Sequence, residues 1–216
     1  VKGASKGEGL GNKFLSNIHQ VQAVVHVVRC FSDPGIVHVE GKVDPISDVK
    51  VIQTELILSD LEQIERKIER ISTRIKADKN LAVDLAFLER LRDFLDGGKF
   101  AGDFELSENE ASIVSTLNLL TMKPYLYIAN VSEDELEEPG DYQLELQELA
   151  NKEGVEVIPV CAKVESELTE MDDEESGLFM KELGIESSGL DRLIDSGYKL
   201  LDQITFFTAG KKEIKA

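Results

Sequence analysis

Apolar residues in this chain repeat with two different periods. Three runs, Ala23–Phe31, Pro124–Ala129 and Val155–Val160, are continuous rather than alternating. That is the pattern of parallel strands buried by helices on both faces. They predict an α/β fold with a sheet three strands wide. Asp141–Lys152 supplies a crossover helix between the second and third runs and stops at Gly154, and Ser176–Leu183 and Leu190–Leu201 supply further helices.

Between the first and second runs, from Pro45 to Lys123, the period lengthens. Leu61, Ile64, Ile68, Ile71 and Ile75 are spaced as a coiled-coil seam. After the polar tip Ala77-Asp78-Lys79-Asn80 a second seam follows at Leu81, Leu85, Leu88 and Leu95, with Arg92 in its fourth place. Two seams joined by a short turn predict an antiparallel helical hairpin, its second arm ended by Gly97-Gly98. A first arm helical from Asp48 to Ala77 spans ~45 Å at ~1.5 Å per residue. Ser107 and Glu110 form a capping box for a helix running to Leu120. The last segment, Ile204–Ala216, reads as strand, turn at Ala209-Gly210, strand. A lone hairpin of this size is marginal in water, so it is expected to open a further domain.

Composition narrows the picture. With 216 residues, 42% of them apolar, the chain can bury a sizeable core. A net charge of −18 excludes a general nucleic-acid binder and confines any such role to a local basic patch. The hairpin tip is such a patch. Arg66, Lys67, Arg70, Arg74, Lys76 and Lys79 outnumber Glu62, Glu65, Glu69 and Asp78. Ordinary i,i+4 pairing on a solvated helix, as between Glu62 and Arg66, and a basic tip that reaches RNA phosphates both fit. Cys30 and Cys161 lie inside apolar runs and are expected to be buried, reduced thiols. No apolar stretch approaches the ~18 residues of a membrane span, and a cytoplasmic protein is expected. The acidic run Glu170–Glu175 reads as a helix start rather than a metal site.

Candidate chemistry sits where the second run ends. Asn130-Val131-Ser132-Glu133 follows a buried strand directly, the position at which α/β sheets place ligand-binding residues. Nucleotide-hydrolysing G domains read guanine there with N-K-x-D, the Asp carboxylate accepting two donors from the base. Val for Lys and Glu for Asp should relax guanine selectivity, because sites built on hydrogen bonds discriminate steeply. Alone, N-x-x-E reads first as an Asx turn leaving a strand. The third run, ending Cys161-Ala162-Lys163, adds a loop where a G domain makes its last base contact. His38, in Gly35-Ile36-Val37-His38-Val39, is a candidate to position a water or a γ-phosphate, against the default of a loop histidine with no role. His26, mid-strand, reads as a packed residue and His19 as a solvated one. The phosphate-binding pattern G-x-x-x-x-G-K-[ST] does not occur, and the glycine-rich opening Gly3–Gly9 lacks its Lys-Ser/Thr pair.

The stretches VKGASKGEGLGNKFLSNI, HVVRCF, VHVEGKVDPISDV, TELILSDLEQIER, KPYLYIANVSE, VIPVCAKVE, FMKELGI, GLDRLI and FFTAGKKEIKA, collinear along the chain, resemble the Obg-like ATPase family (YchF type) of P-loop NTPases. The resemblance implies an α/β G-domain sheet lacking its P-loop half, with an antiparallel coiled-coil arm inserted. It implies the layout 1–46 switch region and strand, 47–121 helical insertion, 122–203 remaining G domain and 204–216 start of a small TGS-like domain. It also implies ATP in preference to GTP, Mg²⁺ as cofactor, and association with ribosomes. On the motifs, Asn130, Val131 and Glu133 are the adenine-side residues, with Cys161, Ala162 and Lys163 the last base loop. Gly3, Lys6, Gly7, Gly9 and Gly11 belong to the switch region. The P-loop lysine and the Mg²⁺ ligands are expected upstream of Val1, in a larger protein, so that this chain alone is expected not to hydrolyse ATP. The alternative is a non-catalytic interaction protein that docks on the ribosome or a protein partner through the arm.

Overall fold

The computed structural model describes residues 11–38, 41–75, 78–79, 81–206, 208–209 and 214–215. Their elements are α1 (Gly11–Gln20), β1 (Val24–Arg29), α2 (Pro45–Arg74), α3 (Leu81–Asp96), α4 (Glu108–Ser115), β2 (Tyr125–Asn130), α5 (Asp141–Glu153), β3 (Val157–Val160), α6 (Ala162–Leu168), α7 (Asp173–Glu182), α8 (Gly189–Leu200), β4 (Thr208–Ala209) and β5 (Ile214–Lys215), with short 3-10 turns between some of them. Gly3, Lys6, Gly7, Gly9, Lys76, Ala77, Asn80 and Gly210 lie outside the described residues. The chain divides into two compact units. One holds the described residues up to Gln22 with Ser47–Lys123, the other Ala23–Ile46 with the residues from Pro124 onward.

The second unit is built on the three predicted runs. They form one parallel sheet in the order β1-β2-β3. In the register, Val25 stands beside Leu126 and Val27 beside Ile128, which in turn stands beside Ile158. Leu193 and Leu200 of α8 pack on Leu126, Ile128 and Ile158, so α8 covers this face over β2 and β3. Over β1 the same face is bare, with Val25 41% and Val27 59% exposed. On α5, Leu146 and Ala150 are fully buried, and Glu153 accepts hydrogen bonds from the hydroxyls of Tyr125 (3.2 Å) and Tyr127 (2.7 Å). Gly154 ends α5 with φ +69°, a left-handed value that favours glycine. Asp172 caps α7 by accepting from the amides of Glu174 and Glu175, with Glu175 reaching back to the Asp172 amide, so the acidic run is a helix start as expected. The terminal strands pair antiparallel, Thr208 with Lys215 and Ala209 with Ile214. Ala209, expected in the turn, is therefore a strand residue.

The first unit is helical. Pro45 opens α2, where its missing N–H costs nothing, and the helix runs 30 residues, ~45 Å at ~1.5 Å per residue. Ile57, Ile64 and Ile71 of α2 are buried against Phe87, Leu88, Leu91 and Leu95 of α3. The fourth place of the second seam belongs to Leu91, not Arg92. Arg92 points outward and pairs with Asp93 at 2.7 Å. With Phe87 also buried, the apolar face of α3 is broader than a heptad seam, because α3 packs on α4 and the chain beyond it as well as on α2. α4 carries the predicted capping box: Glu110 accepts the Ser107 amide at 2.9 Å and hydroxyl at 2.7 Å. Those bonds, and after them Arg90, hold the Glu110 carboxyl below the usual range. The helix ends at Ser115 rather than Leu120. Asn118 takes φ +48°, which breaks the helix and turns Leu117, Leu119 and Leu120 into the core.

Asp60, fully buried in mid-α2, closes that returning segment onto the arm. Its carboxylate accepts the Leu120 amide (2.8 Å), the Thr121 amide (2.8 Å) and the Thr121 hydroxyl (2.7 Å). Burial pushes the Asp60 carboxyl above its usual range, against the pull of these three donors. α1 joins the same unit. Leu15 and Ile18 pack on Ile52, Leu56 and Leu120, and Lys123 donates to the carbonyls of His19 (3.3 Å) and Val21 (2.7 Å). His19, expected to be solvated, is half-buried with its Nδ1 3.1 Å from the Asn118 carbonyl oxygen.

Candidate functional site

Parallel pairing brings Arg29, Asn130 and Val160 into line at the carboxyl ends of β1, β2 and β3. The backbone continues the alignment one step further, with the Cys30 amide donating to the Asn130 carbonyl (2.8 Å) and the Val131 amide to the Val160 carbonyl (2.9 Å). The loops that leave these three strand ends carry the base-loop candidates Asn130, Val131, Glu133 and Cys161–Lys163, and His38. This is the end of an α/β sheet at which ligands bind.

Asn130 is tied across the site. Its Oδ1 accepts from the Ala162 amide at 3.2 Å, so the carboxamide nitrogen is left as the donor. Cys161, buried, is the residue before α6 and makes no side-chain cap bond. Lys163 stands one residue into the helix. Its Nζ lies 3.1 Å from Glu133 Oε2 and 3.8 Å from Glu167 Oε1. The Glu133 carboxylate, and then Glu167, hold the ammonium above its ordinary range. Glu135 fixes the intervening loop by accepting the Ser132 amide (3.0 Å) and hydroxyl (2.7 Å). Val131 is buried and does not line an open face.

α6 is itself anchored. Glu165 accepts the amides of Gly189 (2.6 Å) and Leu190 (3.2 Å), capping α8 from a different helix. A Cβ at position 189 would lie 2.8 Å from both Glu165 Oε1 and Val160 Cγ2, so only glycine allows this approach.

Arg29 organises the loop after β1, a role that the sequence alone did not disclose. Its guanidinium donates to the carbonyls of Phe31 (3.1 Å), Ile36 (3.2 Å) and Asp33 (3.4 Å) and lies 4.7 Å from the Phe31 ring centroid. An Asx turn, Gly35 amide to Asp33 Oδ1 at 2.7 Å, tightens the same loop. His38 is half-buried at its far end, its carbonyl accepting from the Gly41 amide at 3.1 Å. The His26 ring lies 5.7 Å from that of Tyr127 at a 49° tilt, a packed strand residue as expected. Cys30 and Cys161 are both free thiols and buried. Burial, and then Glu135 and Glu145, push Cys30 up to about 12.

Far along α2, Arg66 pairs with Glu62 at 3.6 Å, the i,i+4 contact read from the sequence. Arg70 and Arg74 are exposed on the same helix, as is Lys79 beyond it, and Lys67 is half-buried. Among the described residues no helix is long and apolar enough to cross a membrane, and no group of three or more His, Cys, Asp or Glu could hold a metal ion.

A parallel sheet with strand-end loops of this kind, interrupted along the chain by a helical hairpin, defines an α/β protein. No protein-family model matches the sequence. Among proteins of known sequence, the chain is 51% identical over 219 residues to a ribosome-binding ATPase YchF of Bacillus subtilis and 50% identical over 217 residues to that of Escherichia coli. All of this chain is matched, but it spans only 60% of the length of those relatives. The structure of a YchF GTPase from Schizosaccharomyces pombe superposes with a TM-score of 0.83 at 34% identity, covering 99% of this chain and 59% of that one. The chain is therefore homologous over its whole length to the YchF-type, Obg-like proteins.

Proposed function

We propose that this chain forms the base-selecting part and the helical arm of an Obg-like ATPase that works with ribosomes in the cytoplasm. The observation that carries the reading is the Asn130 Oδ1 to Ala162 amide hydrogen bond. It fastens the loop after β2 to the loop after β3, the two loops with which a G domain encloses a base. On this reading Asn130 and Glu133 meet the base edge, Cys161–Lys163 close over it, and Val131 supports the loop from within rather than touching the nucleotide. His38 sits on a loop shaped by Arg29, a candidate for positioning water. The glycine-rich segment ending at Gly11, with Gly3, Lys6, Gly7 and Gly9, is the candidate switch. The phosphates and Mg²⁺ are assigned to sequence that this chain does not contain. The domain layout proposed is G domain over 1–46 and 122–203, insertion over 47–121, and a TGS-like start at 204–216.

Base preference is the sharpest test, since the relatives are named as ATPases in bacteria and as a GTPase in the fission yeast structure. Glu133→Asp in the full-length protein shortens the carboxylate by one methylene and should raise the affinity for GTP relative to ATP. Adding Val131→Lys should complete the guanine motif, at a cost in stability because position 131 is buried. Competition binding of ATP against GTP decides, and an unchanged ratio means that residues 130–133 do not select the base.

A further inference from the structure

Glu133 is not a lone carboxylate. In the structure it is half of an ion pair. Lys163 Nζ lies 3.1 Å from Glu133 Oε2, joining the loop after β2 to the first turn of α6, thirty residues on. Both side chains reach solvent, 70% exposed for Lys163 and 39% for Glu133, so the contact adds little to folding. Its interest is chemical. An N-K-x-D aspartate works because two free carboxylate acceptors meet two donors on guanine, the ring N1–H and the exocyclic amine. Glu133 has one oxygen already committed to an ammonium. What the pair presents together is one acceptor, the remaining carboxylate oxygen, beside one donor, the lysine N–H.

The edges of the two purines answer that array differently. Adenine offers an amine donor at C6 beside an acceptor at N1, whereas guanine offers donors at N1 and C2. An acceptor beside a donor complements adenine. Against guanine it sets the ammonium opposite the ring N1–H, donor against donor. Resting on the base-site reading above, we propose that Lys163, through its ion pair with Glu133, is the residue that sets adenine over guanine preference in this protein. Glu167, 3.8 Å from the same ammonium, holds Lys163 from the other side. The raised affinity of Lys163 for its proton keeps the donor present throughout the physiological range.

The test uses the full-length protein and equilibrium binding of ATP and GTP to Lys163→Met, Lys163→Arg and Asn130→Ala. Lys163→Met keeps the aliphatic stem and removes the donor at an exposed position. It should lower the ATP-to-GTP affinity ratio about tenfold, the scale of one charge-assisted hydrogen bond, with loss for ATP and gain for GTP. Lys163→Arg should restore most of the ratio. Asn130→Ala should weaken both nucleotides together. If Lys163→Met leaves the ratio unchanged while Asn130→Ala weakens both, the base site stands and the role of Lys163 is overturned. If Asn130→Ala changes neither affinity, the base site itself lies elsewhere and both readings fall.

Discussion

Asp60 and Thr121, sixty-one residues apart, meet through two hydrogen bonds to a single carboxylate oxygen, 2.8 Å from the Thr121 amide and 2.7 Å from its hydroxyl. With the Leu120 amide on the other oxygen, this contact closes the helical insertion upon itself.

Asp60→Asn should therefore destabilise the protein strongly. The amide replaces one acceptor with a donor that faces other donors, and the cost expected for a buried group left unpaired is about 2–4 kcal/mol. Chemical denaturation should show it as an earlier midpoint. A change below half a kcal/mol, on the order of a surface substitution, would mean that the contact is not holding the insertion closed.

Cys30 sets an alkaline limit. Burial lifts its thiol from 9.0 to about 12 in the folded state. The unfolded chain then loses its proton first, so the contribution of this group is full below pH ~9 and is lost as pH rises towards ~12. Stability should fall by up to about 1.4 kcal/mol per pH unit in that window, and Cys30→Ser should flatten this slope. At neutral pH, thiol reagents should modify Cys30 only at the rate of unfolding, and fast modification in the native state would contradict the burial.

The exposed arginines of the arm should matter for ribosome association and not for folding. Reversing Arg70, Arg74 and Lys76 to Glu leaves Ile64 and Ile71 in their buried places. Cosedimentation with ribosomes should weaken, and its dependence on salt should become shallower, because fewer phosphates are neutralised. Equal, salt-insensitive binding by both proteins would assign the arm to ordinary solvated pairing.

Among the described residues β1 is the end strand of the order β1-β2-β3, and its exposed valines add an apolar face. Such an edge invites pairing with another strand. The 1–216 chain on its own should self-associate as concentration rises, and Val27→Lys should suppress this. The segments by which the relatives exceed this chain should cover the edge, keeping the full-length protein dispersed. Light scattering across a concentration series checks both, and a dispersed 1–216 chain would show the edge to be benign.

Much of this architecture was legible in residue pattern. The continuous runs HVV, YLYIA and VIPV marked the three strands, although β1 leaves Val25 and Val27 exposed on one face where burial on both was expected. Gly154 and Ser107 marked helix ends by capping chemistry that acts locally. What stayed hidden depends on partners distant in sequence. Leu91 displaced Arg92 from the helical seam because α3 faces α4 as well as α2, which a one-dimensional heptad does not register. The helix after Ser107 stopped early because Asn118 turns the chain towards residues near His19. Asn130 and Glu133 stood out at once, but their ties to Ala162 and Lys163 cross thirty residues, and Arg29 gave no sign that three loop carbonyls converge on it.

On the proposed base site, the glycine at 189 bears on how base preference could change over time. Glu165 of α6 braces the start of α8, and a methyl group at 189 would press on both Glu165 and Val160, so α6, the end of β3 and α8 are held close together behind the site. A lineage moving between adenine and guanine does so most readily through side chains at the mouth of that proposed site, half-buried Glu133 and exposed Lys163, which can change without disturbing the braced frame.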